Sequence, residues 1–468
     1  MKIHVENLGA VKNGDVDLKP LTIFIGPNNK GKTWTAYSIA SLFSNDMFNV
    51  YSKSYSEKEP ENGYLHIHNA VKQVLDKGNA KIDMADFSRK YSTEYINNVA
   101  SIVPTRISKF LDSRRASFED LKMHIELDGL QDHLVSLTCK PAITFKISVN
   151  KEGKSLLTAQ KEKDDPYLYV YTESSEGIQD IPVKVINKFI TNAVFRIIHR
   201  AFFQKVVFFP PERTGIVPFL LNQTTINESN DEHEDSEEHD TYSGISYPLM
   251  SMISIICFDK SDFIQKRKEK AENDETIKKF IEIAKVLEDE IIGGSVEPIE
   301  KPDGSQEIIF NLNSGNTFDI PITSSCVKDL IPLVFYLKYL ATVRDLIVID
   351  EPEMNLHPES QVKIMELLAS LVNLGLNIII TTHSTYIVDH IPNLTKAYKL
   401  NEEGKKGLES KFKLKREDSF IDQNKISVYL FDEGTIKNIY KDNGFIDWGT
   451  FGDVSEYVSN LYFELEEE

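Results

Sequence analysis

The sequence predicts an α/β fold in which a mixed sheet is assembled from both ends of the chain, with a helical and β insertion between them. Three observations carry that prediction. Near the start, the apolar run LTIFIG ends in glycine and passes directly into a segment, 31–43, with Thr35, Ile39, Leu42 and Phe43 at helical spacing. Far downstream, LIVID at 346–350 and LNIIIT at 376–381 are apolar runs of the parallel-sheet kind, separated by a helical stretch at 358–374. Between these two regions the pattern changes to polar helices and alternating strands.

In chain order, KIHVENL and DVDLKP read as strands around a turn at Lys12 to Gly14. Residues 66–77, 84–111 and 116–133 read as mainly helical. Alternation at 142–149, 154–161 and 167–172 predicts strands, and 183–203 returns to helix. VVFFP at 206–210 is a buried-strand candidate. Residues 260–292 read as one long charged helix with Phe263, Ile264, Ile277, Phe280, Ile281 and Val286 on its apolar face. Two short strands follow near 296–300 and 306–312, about the turn Pro302-Asp303-Gly304, and a hairpin at 426–440 turns at Asp432-Glu433-Gly434. The layout expected from this is 1–44 as the first part of the core, 45–205 as insertion, 206–320 as a connecting α/β region, 321–400 as the second part of the core and 401–468 as an extension.

Composition narrows the class. At 468 residues, with 41% hydrophobic and 27% charged residues, the chain has material for two to three domains. There is no apolar stretch of about 18 residues, which disfavours a membrane span, and no signal-peptide pattern at the start, so a cytoplasmic protein is expected. Cys139, Cys257 and Cys326 lie too far apart for a disulfide framework or zinc site. The net charge of −19 disfavours a broad nucleic-acid surface, which needs a Lys or Arg near each neutralised phosphate. Part of that charge is the run Glu228 to Asp240, read as a solvated segment; its His233 and His239 lack the folded surroundings a metal site needs.

The chemistry begins at Gly26-Pro27-Asn28-Asn29-Lys30-Gly31-Lys32-Thr33, which satisfies the pattern G-x-x-x-x-G-K-[ST]. Glycines let backbone N–H groups turn inward around phosphates, Lys32 reaches the β- and γ-phosphates of ATP, and the Thr33 hydroxyl is offered to Mg²⁺. The helix that follows points its positive end at the same anion. Trp34, the next residue, is counted with the nucleotide contacts. LIVID-Glu351 is a Walker B strand: four apolar residues bury it and deliver Asp350 to the carboxyl end, where it orders Mg²⁺. Glu351 is then the general base for the attacking water. His383, in Thr381-Thr382-His383-Ser384, closes the next strand.

The set GPNNKGKT, LIVIDEPEMNLHPE and TTHS resembles the ABC-class ATPases of the SMC, DNA-repair and overcoming-lysogenization-defect (OLD) branch, over about residues 1–43 and 320–400. That resemblance implies an ABC-type P-loop ATPase core in which His383 senses the γ-phosphate and two copies, or a higher homo-oligomer, sandwich ATP. Asn355 to Pro358 are then candidates for crossing the interface. It also implies a signature loop before Walker B, acting on the partner's nucleotide. The matching segment is Thr323 to Lys328, with Ser324, Ser325 and Lys328 as contacts at the head of a helix over 327–341; Cys326 stands where the family usually has glycine. Read from chemistry alone, the same segment is a serine cap on an amphipathic helix. Pro210-Pro211-Glu212-Arg213 is similar to a segment of stand-alone ATPases of this group; a Glu-Arg ion pair at a turn is the expectation there, with contact to nucleotide or a partner chain as the alternative. No aromatic in the first hairpin offers adenine a stacking face.

The resemblance further suggests the sensor ATPase of an anti-phage defence system. No strand-Glu and Asp-x-Asp pair follows Leu400, so a fused nuclease is not expected and the effector would be a separate protein. The rival readings are a DNA-repair ATPase that clamps nucleic acid, a transporter ATPase subunit, and a nucleotide-gated scaffold with little turnover.

Overall fold

The computed structural model describes residues 1–58, 63–148, 155–172, 181–215, 217, 245–257, 260–300, 306–441, 443–446, 457 and 459–463. The acidic run with His233 and His239, and the turn at 302–304, lie outside them. The strands in chain order are β1 (Lys2–Leu8), β2 (Val11–Asp17), β3 (Leu21–Ile25), β4 (Asn79–Asp83), β5 (Lys122–Glu126), β6 (Ile143–Ser148), β7 (Ser155–Lys161), β8 (Tyr167–Tyr171), β9 (Val206–Phe209), β10 (Gly294–Glu300), β11 (Gln306–Leu312), β12 (Thr317–Asp319), β13 (Leu346–Asp350), β14 (Asn377–Thr382), β15 (Ile426–Asp432) and β16 (Thr435–Asn438). The α/β class expected from the sequence is the class observed. Two compact units divide the chain.

One unit holds Met1–Asn7, Ser38–Ile107 and Phe118–Val206. Its sheet has the order β4-β8-β7-β6, antiparallel throughout, and β5 pairs antiparallel with β1 from Lys2↔Glu126 to Glu6↔Lys122. Helices Asn45–Lys58, Leu65–Lys77, Met84–Ala100 and Val183–Phe202 supply an aromatic core, in which Tyr51 stacks on Phe195 at 5.2 Å and Tyr95 meets Tyr51 edge-on. The strand at 122–126 corrects the helical reading of 116–133. Met123 and Ile125 alternate with polar neighbours over too few residues to declare a strand, and the pairing with β1 decides the conformation.

The other unit holds Leu8–Tyr37, Ser108–Ser117 and Val207–Glu468. Its strands run in the order β2-β16-β15-β3-β14-β13-β9. β3, β14 and β13 are mutually parallel, β15 is parallel to β3, and β15–β16 is an antiparallel hairpin, which makes the sheet mixed. All five residues of β3 and of β13 are buried, as central strands covered on both faces must be. A separate antiparallel sheet, β10-β11-β12, belongs to the same unit.

Two local expectations change here. The turn before β2 is at Gly9-Ala10, and Lys12 to Gly14 lie inside the strand. Asn13-Gly14 looks like a turn pair, but a Cβ on Gly14 would stand 2.4 Å from Cβ of Ile436; the glycine makes room for a neighbouring strand. The long helix at 260–292 is two helices, Lys260–Asn273 and Glu275–Leu287, followed by a wider turn at Glu288–Ile292. Asp274 breaks it by accepting from the N–H of Thr276 (2.9 Å) and Ile277 (3.3 Å), starting the second helix as its cap. Among the described residues no helix is long and apolar enough to cross a membrane.

Candidate functional site

β3 runs straight into the glycine loop, and the loop's shape excludes side chains at two points. Gly26 has φ +136°, and a Cβ there would lie 2.4 Å from the carbonyl oxygen of Phe431; Gly31 has φ +94°, with Val11 Cγ2 at 2.8 Å from such a Cβ. Thr35 N–H then donates to Gly31 at 2.9 Å, and the helix Lys32–Ser41 begins. Lys32 is buried at the turn, its ammonium donating to the carbonyls of Gly26 (2.9 Å) and Pro27 (2.8 Å). Burial lowers its pKa, and the carboxylates of Glu351, Asp350 and Glu353 act in the opposite sense.

Because β13 and β14 are parallel neighbours, their carboxyl ends arrive beside this loop. Asp350, 2% exposed, accepts from the hydroxyls of Thr33 (3.1 Å), Thr381 and Tyr37 (3.4 Å). Burial raises its pKa, while the Thr381 and Thr33 hydroxyls and Arg213 hold it down. Glu351 turns out of the strand with φ +51° and fixes its N–H on the carbonyl of Thr381 at 3.0 Å. Its carboxylate stands 3.8 Å from Nε2 of His383. Desolvation, then Lys32, lower the His383 pKa, while the Glu351 carboxylate acts in the opposite sense. The ring hangs from a backbone N–H that donates to the Glu353 carboxylate at 2.6 Å; the same carboxylate oxygen accepts from the Thr382 hydroxyl at 2.8 Å.

The result is a cavity of about 740 Å³ lined by Gly9, Ala10, Asn28 to Trp34, Glu351 and His383. Trp34 is exposed on one side and lies across Gly9, where a Cβ would stand 2.6 Å from Cζ3 of the indole. Lys30 forms an ion pair with Asp432 at 3.2 Å. The donor set suits a nucleotide with a hard divalent cation: a lysine folded into the glycine loop, and a buried carboxylate that accepts from the Thr33 hydroxyl.

Ser324, Ser325 and Lys328 do not line that cavity. Ser324, exposed, caps the helix Ser325–Phe335 by accepting from Val327 N–H at 3.4 Å; Ser325 is exposed at its first turn, and Lys328 donates to the Pro321 carbonyl at 2.9 Å. The helix predicted over 327–341 starts two residues earlier and gives way to a wider turn at Tyr336–Leu340. Cys326 is half-buried, its thiol pushed up by burial to about 11. Asn355 is exposed with φ +58°, Leu356 is buried, and exposed His357 caps the helix Pro358–Asn373.

Arg213 overturns the expected ion pair. It is 2% exposed, Glu212 is exposed, and its guanidinium donates to the carbonyls of Asp350 and Glu351, each at 2.7 Å, and of Pro210 at 3.0 Å. The reason is topological: β9 neighbours β13, so the residues leaving β9 meet the end of β13. An arginine two residues past an apolar strand and a Pro-Pro turn was the available signal; its target was not readable. Glu353 and Thr381 likewise carry no local mark of their contacts.

A glycine loop between a strand and a helix, facing the carboxylates at the end of a parallel strand one place removed in the sheet, defines a P-loop NTPase. The chain belongs to the AAA ATPase domain family, whose model matches residues 1–388, and is an ATPase. No curated protein matches it. Among solved structures it is similar to an SMC head bound to the C-winged helix domain of ScpA (11% identity, 94% of this chain and 96% of that one, TM-score 0.34). It is also similar to the SMC head domain from Thermotoga maritima (10%, 94% and 97%, TM-score 0.30). A third is the Smc head domain with an extended coiled coil bound to the C-terminal domain of ScpA derived from Pyrococcus furiosus (12%, 98% and 98%, TM-score 0.31). At TM-scores this low the likenesses carry nothing about function.

Proposed function

We propose that the chain is a Mg²⁺-dependent ATPase whose pocket is completed by a second copy, and that it serves as the regulatory ATPase of an anti-phage defence system acting on a separate effector. The observation that carries the first part is the arrangement at the lip of the cavity. Glu351 lies beside His383 and opposite Lys32, while the serine-headed helix Ser325–Phe335 presents Ser324 and Ser325 to solvent outside it.

In this reading the N–H groups of Asn28 to Thr33 hold the triphosphate, and Lys32 exchanges its two carbonyl partners for phosphate oxygens. Thr33 and Asp350 hold Mg²⁺, which when bound neutralises charge on the β- and γ-phosphates. Glu351 accepts the proton of the attacking water, and His383 donates a hydrogen bond toward the γ-phosphate. Ser324, Ser325 and Lys328 act on the nucleotide held by the partner copy, where a helix N-terminus and a hydroxyl suit an anion. Control of an effector in phage defence rests on the sequence resemblance, and pull-down of partners from infected cells tests it.

The deciding measurement for the chemistry compares two variants. Lys32→Ala should abolish ATP binding. Glu351→Gln should bind ATP and release no phosphate, because it removes the base and leaves the cradle intact. Phosphate release at the parental rate from Glu351→Gln would exclude Glu351 as the base.

A further inference from the structure

The segment Asp350 to Asn355 is held at its end by a buried carboxylate of the helix Ser325–Phe335, and at its start by Arg213, whose chain neighbour Thr214 bonds that same carboxylate. At its start, Arg213 donates to the carbonyls of Asp350 and Glu351 at 2.7 Å each, and the next residue, Thr214, donates its hydroxyl to Oδ1 of Asp329. At its end, Asn355 Nδ2 donates to Oδ2 of the same Asp329 at 2.7 Å. Asp329, 2% exposed, lies on the helix Ser325–Phe335, one turn from Ser325. Glu351 therefore stands between two tethers that share an anchor.

We propose that Arg213 is a positioning residue, acting with Thr214, Asp329 and Asn355, which makes the position of the Glu351 carboxylate depend on the position of the Ser325–Phe335 helix. It rests on the reading of Glu351 as the base. Glu351 is in the left-handed region, where its carbonyl has left the strand ladder and needs another donor. A planar guanidinium meets two successive carbonyls at once; a lysine ammonium, a point charge on a flexible stem, does not hold both in one geometry. Because both tethers end on one carboxylate, movement of the helix carries the two ends of 350–355 together. Whatever engages the exposed Ser324 and Ser325 is thereby read at Glu351.

The contacts make the coupling testable without touching the nucleotide cradle. Arg213→Lys should lower kcat on the order of 10²-fold, the scale of a misplaced catalytic group, with ATP affinity within about twofold of the parent. Asp329→Asn turns an amide toward the Asn355 amide, and Asn355→Asp sets two carboxylates face to face. Each should lower kcat roughly tenfold, and the double swap Asp329→Asn/Asn355→Asp, which restores a donor opposite an acceptor, should recover most of it.

ATP affinity, kcat and melting temperature are measured on the full chain, with Glu351→Gln alongside. Loss of kcat at constant ATP affinity in the single variants, with recovery in the swap, is the result expected. Parental kcat in folded Arg213→Lys, or in both single variants at positions 329 and 355, overturns the proposal while leaving Glu351 as base. If Arg213→Lys does not fold, the pair at 329 and 355 decides alone. Lowered melting temperature with unchanged kcat assigns the network a structural role and also overturns it. Turnover by Glu351→Gln removes the base itself, and with it the reason for positioning it.

Discussion

One carboxylate oxygen of Glu353 accepts from the backbone N–H of His383 at 2.6 Å, so a residue of the loop after β13 holds the histidine that ends β14. The other oxygen is buried without a hydrogen-bond partner among the described residues. Burial raises the Glu353 pKa above its ordinary 4.5, more than its hydrogen bonds lower it. A raised carboxyl favours the protonated native state, so the ionised form costs stability at neutral pH, and the cost disappears as pH falls through the raised value.

Glu353→Gln should keep the acceptor for His383 and Thr382 without a buried charge. It is expected to melt at or above the parent at pH 7.5 and to lose that advantage toward pH 4.5. Glu353→Ala should release His383 and lower kcat roughly tenfold with ATP affinity retained. Melting curves across pH and phosphate release check the pair; a Glu353→Gln protein less stable than the parent at pH 7.5 contradicts the sign.

His199 gives a second pH dependence, of a different origin. Fully buried beside Tyr95, with Nδ1 3.0 Å from the phenol oxygen, it has a pKa lowered by burial from 6.5 to about 4. The native state holds it neutral, so its stability contribution is complete above pH 6.5 and is lost as pH falls from 6.5 toward 4. The difference amounts to about 3 kcal/mol. Replacing His199 with Gln should flatten the fall in melting temperature between pH 7 and 5, whatever it does to absolute stability.

Gly9 lets Trp34 lie on the turn after β1. Gly9→Ala places a methyl 2.6 Å from the indole at φ +57°, so the ring must move and the left-handed backbone costs about 1 kcal/mol. In a Trp448→Phe background Trp34 is the one tryptophan of the two in the chain left to report. A shifted emission maximum in Gly9→Ala, with weaker ATP binding, is expected; an unchanged spectrum would show that the indole had not moved.

The shared pocket is tested by mixing two inactive chains, Ser325→Arg and Lys32→Ala. A heterodimer has one pocket with an intact P-loop and an intact partner serine, and one pocket with both defects. Activity approaching half of the parental value in the heterodimer fraction is expected if one pocket turns over alone. When Ser325→Cys is crosslinked to a γ-phosphate-tethered probe on a tagged partner, labelling confined to the nucleotide's own chain ends the shared-pocket reading.

What the sequence by itself made legible are the contiguous runs. Gly26 to Thr33 and Leu346 to Glu351 stand out through residue type and spacing, because a glycine loop and a buried strand are built from neighbours in the chain. It also pointed to the α/β class, since short apolar runs such as β3, β13 and β14, too short for a buried helix, read as central strands. Tertiary structure alone decided where the remaining residues act. Thr33 meets Asp350 across 317 positions and Arg213 meets it across 137, distances over which no local pattern constrains a contact. The same holds for Gly14, whose bare Cα is required by Ile436, and for 122–126, which becomes a strand because β1 is beside it. The Ser325–Phe335 helix was legible as a capped helix, but its bond through Asp329 to Thr214 and Asn355 was not. Backbone propensity and side-chain spacing act over a few residues, whereas sheet order sets which strand ends and loops become neighbours.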